Sequence, residues 1–142
     1  MKRAGLFLAI IFVLSAVSVY AQSYTITVTF NQYGTWENGI LEFAPLGISA
    51  QCYFDGSTPL RRGTTYSAAA TRMSRKTDSV TGLRRPGIFL NIPGSQIFIH
   101  EGTSLAWSEG CIVIPRDIMM SIWNYIERNG DLDKYVISVV IR

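Results

Sequence analysis

From Tyr24 to Phe30 the chain alternates apolar and polar residues strictly, with Tyr24, Ile26, Val28 and Phe30 separated by Thr25, Thr27 and Thr29. A period of two places the first set on one face of a strand and the second on the other, so this segment must be half buried in a sheet. The same short-strand grammar continues, broken by Gly34, Asn38 and Gly39, with strands expected at Ile40 to Phe43 and Ile48 to Phe54 and a turn at Asp55-Gly56. The segment Arg61 to Arg85 is rich in Gly, Thr, Ser and Arg and reads as one strand around Thr65 to Thr71 followed by a long polar loop. Ile88 to Ile92 and Ile97 to Ile99 form a hairpin through Pro93-Gly94-Ser95, because proline followed by glycine suits the centre of a tight turn. Cys111 to Ile114 is another short strand. The period then changes: Ile118, Met119, Ile122, Trp123 and Ile126 share one helical stripe that Gly130 ends, and Tyr135 to Ile141 closes the chain as a buried strand. One helix among many strands predicts a mainly β member of the α+β class.

The amino terminus follows a different plan. Lys2 and Arg3 precede an apolar run from Leu6 to Leu14 and a small-residue stretch ending Val19-Tyr20-Ala21, the three-part arrangement of a secretory signal peptide. Cleavage after Ala21 is expected to leave residues 22–142 as one periplasmic or secreted domain with no membrane span. The apolar core is shorter than the roughly 20 residues of a spanning helix, the feature that separates a cleaved signal from an uncleaved anchor. Loss of Lys2 and Arg3 brings the formal charge from +3 to +1, with 11 basic against 10 acidic residues. A near-neutral domain offers no general argument for nucleic acid.

The residues with chemistry concentrate between Ile97 and Pro115. His100 is the only histidine, and it follows an apolar strand where a side chain is expected at a rim. Cys111 lies eleven residues on, directly after Gly110. A thiol becomes a strong nucleophile when a base takes its proton, and imidazole is the side chain best poised for that near neutral pH. Gly110 would let a substrate carbonyl approach the peptide N–H groups around Cys111, which could hold an oxyanion. Ser108 either orients His100 or bonds its own loop. A structural reading competes: Cys52 and Cys111 are the only cysteines, and in an oxidising compartment such a pair can close into a disulfide. One histidine and two cysteines without a close-spaced pair do not make a metal site, and no cofactor is called for. The basic residues Arg61, Arg62, Arg72, Arg75, Lys76, Arg84 and Arg85 crowd the polar segment and are either carboxylate or phosphate binders or a solvated surface. Trp107 either stacks on a ligand or covers the core.

At Ser108-Glu109-Gly110-Cys111-Ile112 the sequence resembles the catalytic domain of the L,D-transpeptidases, whose pattern is His-Gly followed at a distance by Ser-His-Gly-Cys and an apolar residue. It departs from that pattern in several places: Glu101 intervenes before Gly102, the spacer from His100 to Ser108 is shorter, Glu109 replaces the second histidine, and Val113 stands where arginine is common. The compact form is similar to short, divergent branches of that superfamily, and Leu60 to Tyr66 is loosely similar to a Pro-x-Gly-x-Tyr segment found upstream in them. The resemblance implies a small β-sandwich or barrel with one helix after the cysteine strand. It further implies that Cys111 attacks a carbonyl of a peptidoglycan stem peptide to form a thioester, with His100 as base and then acid. Ser108 and Gly110 would complete the catalytic set, and Gly102, Trp107, Arg84 and Arg85 would contact substrate. The acyl group would pass to an amine or to water. The contrasting expectation is a non-catalytic envelope domain that binds cell-wall peptides and uses its cysteines as a staple.

Overall fold

The computed structural model describes residues 23–31, 38–103 and 105–142. The expected signal peptide, residues 1–21, lies outside them. Among the described residues there are eight strands and one α-helix: β1 (Tyr24–Phe30), β2 (Asn38–Phe43), β3 (Ile48–Tyr53), β4 (Thr65–Thr77), β5 (Arg84–Leu90), β6 (Ile97–Glu101), β7 (Ile112–Ile114), α1 (Arg116–Arg128) and β8 (Ile137–Ile141). The strands close into a barrel in the order β1-β2-β3-β7-β6-β5-β4-β8, which establishes the mainly β class. Most neighbours are antiparallel. The exceptions are β1 with β8, in register Tyr24↔Ile137, and β6 with β7, in register Ile99↔Ile112. Among the described residues no helix is long and apolar enough to cross a membrane.

The period-two residues of β1 point inward as expected: Tyr24, Ile26, Val28 and Phe30 are buried, with Leu41, Phe43, Phe54, Ile88, Leu90, Ile97, Ile99, Ile112, Ile114, Ile137, Val139 and Ile141 in the same core. Met119, Ile122, Trp123 and Ile126 of α1 join that core. Truncating one of these large side chains, as in Trp123→Ala, removes apolar burial and leaves a cavity, a loss of about 3–5 kcal/mol. The helix stops at Gly130 for a specific reason. At φ 73° it adopts the left-handed conformation that glycine tolerates, and its N–H bonds the Glu127 carbonyl while that of Asp131 bonds Ile126, the pair of contacts that caps a helix end.

Pro93 and Gly94 form the turn between β5 and β6, with Ser95 N–H donating to the Ile92 carbonyl at 3.1 Å and Gly94 at φ 76°. The long polar loop is a correction. β4 runs on through Arg72 to Thr77, and β5 begins at Arg84, so only a short turn separates them. The ladder between the two strands is irregular. Arg72 pairs with Pro86 and Thr77 with Arg84, so the four residues Met73 to Lys76 oppose Arg85 alone. Proline supplies no N–H to the ladder, and a strand proline is tolerated at such a bulge. The bulge redirects Met73, Ser74, Arg75 and Lys76 toward a cleft on the outer wall.

Candidate active site

On β6 the apolar residues Ile97 and Ile99 enter the core, which turns Phe98 and His100 to the outside of the barrel. On β7 Ile112 and Ile114 do the same, so Cys111, one residue earlier, also faces outward. The parallel register Ile99↔Ile112 and His100↔Val113 then sets Cys111 beside Phe98, diagonally from His100 on the same face. Both line a cleft of about 200 Å³ with Met73, Ser74, Arg75, Lys76, Gln96, Phe98, Trp107, Ser108 and Glu109. His100 is 5% exposed and Cys111 7%, so His100 is set into the wall of the cleft instead of emerging at a rim.

His100 Nδ1 lies 2.8 Å from the Glu101 carbonyl oxygen. A carbonyl can only accept, so Nδ1 carries the proton and a neutral ring keeps a free lone pair on Nε2. Burial holds the imidazole pKa below its usual 6.5; the bond to the Glu101 carbonyl opposes that shift, and the charges of Arg85 and Lys76 reinforce it. Cys111 Sγ accepts from Phe98 N–H at 3.4 Å and sits 3.9 Å from the Gln96 carbonyl. Burial pushes this thiol above its usual 9.0, the Phe98 N–H opposes it, and Glu109 and Asp55 add to it. At neutral pH the resting pair is therefore a thiol and a neutral imidazole, in contrast to a preformed thiolate and imidazolium.

The turn carrying Cys111 is strained and firmly tied. Glu109 at φ 44° and Gly110 at φ 88° occupy its centre, and Cys111 N–H closes it on the Ser108 carbonyl at 2.7 Å. Ser108 is fully buried; its hydroxyl donates to the Cys111 carbonyl at 2.6 Å and accepts the Asp55 N–H at 2.9 Å. Of its two expected roles Ser108 has the loop role, and it does not bond His100. The Asp55 carboxylate is held below its ordinary range, first by the Ser57 hydroxyl, with its burial opposing and the Ser57 and Gly110 N–H groups adding to it. The Cys111 N–H, expected to face an oxyanion, is already bonded within its own turn.

Gly102 sits beneath Trp107: a Cβ there would collide with Val113 Cγ1 and lie 2.9 Å from Trp107 Cβ, so only glycine lets Trp107 fold over this point. Trp107, 45% exposed, lines the cleft and carries the Arg85 guanidinium 5.3 Å from its ring centroid. Arg85 Nε lies 3.2 Å from Glu101 Oε1, without the alignment of a hydrogen bond. Glu101 in turn bonds Arg116, which also holds the buried Asp78 at 2.7 Å. Arg85 thus braces Trp107 and lines an adjoining recess with Lys76, His100 and Glu109. Arg84 is exposed, and its carbonyl accepts from Arg72, whose guanidinium lies over Trp123. Arg62 bonds the Asn31 carbonyl, and Arg61 is exposed in the β3–β4 connection. Of the basic residues singled out from the sequence, Arg75 and Lys76 line the cleft that holds Cys111.

Sequence reasoning missed Gly87. It pairs with His100 across β5 and β6, and a Cβ there would meet Phe98 Cδ1 at 3.0 Å and Met73 Cγ at 3.3 Å. Its missing side chain lets β4 and β6 residues meet over β5 as the cleft floor. A glycine inside a strand beside Pro86 was the available signal. Cys52 and Cys111 are both free. Cys52 belongs to the barrel core, where burial pushes its thiol up to about 12, whereas Cys111 lies on the outer face. The barrel wall separates them, so the alternative of a disulfide staple between them is not formed. Among the described residues no cluster of metal-ligating side chains occurs.

Compared with known proteins, the chain matches no family model, no curated protein and no solved structure.

Proposed function

We propose that this protein is an exported acyl-transfer enzyme of the L,D-transpeptidase type that acts on peptidoglycan stem peptides through Cys111. The observation that carries the reading is the outward pairing of Cys111 and His100 on one cleft, with the imidazole tautomer fixed so that Nε2 is the free base. The motif Ser108-Glu109-Gly110-Cys111-Ile112 and the signal-like amino terminus supply the substrate class and compartment.

In this mechanism the peptide carbonyl enters beside Phe98, and the Cys111 side chain rotates from Gln96 toward His100. Nε2 takes the thiol proton as sulfur attacks the carbonyl carbon. Collapse of the tetrahedral adduct breaks the C–N bond, the leaving amine receives that proton from His100, and a Cys111 thioester remains. An amine or water then attacks the thioester, His100 accepts its proton, and the tetrahedral adduct collapses with cleavage of the C–S bond as His100 returns that proton to Cys111 sulfur, to give a cross-link, an exchanged stem or a shortened one. Ser108 and Asp55 hold the turn that presents sulfur, and Gly87 keeps the floor open. A coupled transfer of this kind suits a pair that rests neutral.

The Cys111 N–H already bonded within its turn, with the raised thiol pKa, favours a second reading, a non-catalytic domain that binds cell-wall peptides in the same cleft. Incubation of residues 22–142 with disaccharide-tetrapeptides separates the two. Fragment mass spectrometry should show altered stems that disappear with Cys111→Ala. Bound but unaltered stems would select the binding domain.

A further inference from the structure

Lys76 lines both the Cys111 cleft and the adjoining Arg85 recess, and Arg75 beside it lines the first. They are there because the bulge between Arg72 and Thr77 breaks the ladder opposite Arg85 and turns this stretch of β4 over the cleft. The nearby acids are differently disposed. Asp78 and Glu101 are held by Arg116, and Glu101 also faces Arg85. Among the described residues neither Lys76 nor Arg75 lies within ion-pair distance of a carboxylate, although both are exposed at the cleft. Glu109 lines the same cleft and recess from the turn before β7, which β5 and β6 separate from β4 in the barrel. One wall is therefore cationic and the other anionic.

We infer that Lys76, assisted by Arg75, is the anion-binding subsite of this cleft, so that its ligand is a peptide carrying a carboxylate, oriented with that group toward β4 and away from Glu109. An ammonium with unfilled donors beside a partly enclosed cavity recognises such a group by charge-assisted hydrogen bonds. The inference rests on the peptide-binding reading of the cleft and is independent of Cys111 chemistry. Lys76 is a specificity residue, outside the proton-transfer pair.

The test measures binding by calorimetry in the Cys111→Ala protein. The probes are a stem tetrapeptide with all carboxyl groups free and the same peptide with every carboxyl amidated. The free acid should bind about fivefold more tightly, the scale of one partly exposed ion pair. Lys76→Gln should remove that preference and Lys76→Arg should keep it. Equal affinities in the parent, no binding of either peptide, or an equal loss for both peptides in Lys76→Gln would each overturn the inference. Charge discrimination that persists while the unsubstituted protein forms no acyl adduct would refute the catalytic reading and leave the subsite standing.

Discussion

Replacing Ser108 with alanine removes a hydroxyl that is fully buried and joins two chain segments far apart in sequence, Asp55 and Cys111. The Asp55 N–H and the Cys111 carbonyl both lose a partner, in a place where water has little access. One buried polar group left unsatisfied costs about 1–3 kcal/mol, and local relaxation shares the loss between the two, so about 2–3 kcal/mol is expected. For a domain of this size that corresponds to a fall in Tm of roughly 8–12 °C. Ser57→Ala is the matched control, since Ser57 is exposed and bonds only the nearby Asp55; it should change stability by less than about 0.5 kcal/mol. Urea and thermal unfolding of the two variants give the comparison. Alkylation of Cys111 should also accelerate in Ser108→Ala as the turn loosens. Equal Tm values for the two variants would refute the account of Ser108 as the tie that holds the cysteine turn.

Gly87→Ala should leave the barrel folded but displace Phe98 or Met73, lowering peptide affinity at least severalfold by calorimetry; unchanged affinity would mean that the floor over β5 is not a binding surface. Because the folded pKa of Cys111 is raised, iodoacetamide should react with it along a pH profile whose midpoint lies above 9.0, read by intact mass, and a midpoint below that would contradict the resting thiol. His100 has the opposite sign. Its folded pKa is depressed, so the unfolded chain binds more protons between the folded value and 6.5, and its contribution to stability is lost as pH falls through that window; His100→Gln should flatten this part of the stability curve. Denaturation without reductant should expose two titratable thiols, whereas a disulfide between Cys52 and Cys111 would contradict their placement on opposite faces of the wall.

Strand periodicity made much of the barrel legible. Tyr24 to Phe30 alternates cleanly because one face meets the core and the other solvent, and the helical stripe from Ile118 to Ile126 with Gly130 at its end reported α1 for the same reason. The second half of β4 was not legible. Arg72 to Thr77 lies against β5 with mostly exposed polar side chains, so no apolar period marks it, and the bulge destroys whatever alternation remained. Barrel closure depends on the parallel pairs β1 with β8 and β6 with β7, and local patterns carry no information about such distant partners. The proximity of His100 and Cys111 could be read because both flank apolar strands. The tie on the cysteine turn could not, because Asp55, whose N–H bonds the Ser108 hydroxyl, arrives from the β3–β4 connection, far away in sequence.

The most direct test of the central claim is trapping of the thioester. Purified residues 22–142 would be mixed with stem tetrapeptide fragments, quenched in acid within seconds and weighed intact, alongside Cys111→Ala and His100→Ala. The account predicts a mass increase equal to the acyl part of the peptide, mapped to Cys111, absent in Cys111→Ala and strongly reduced in His100→Ala. No adduct and no altered peptide, with both thiols free and the peptide bound, would contradict it and establish the cleft as a binding site alone.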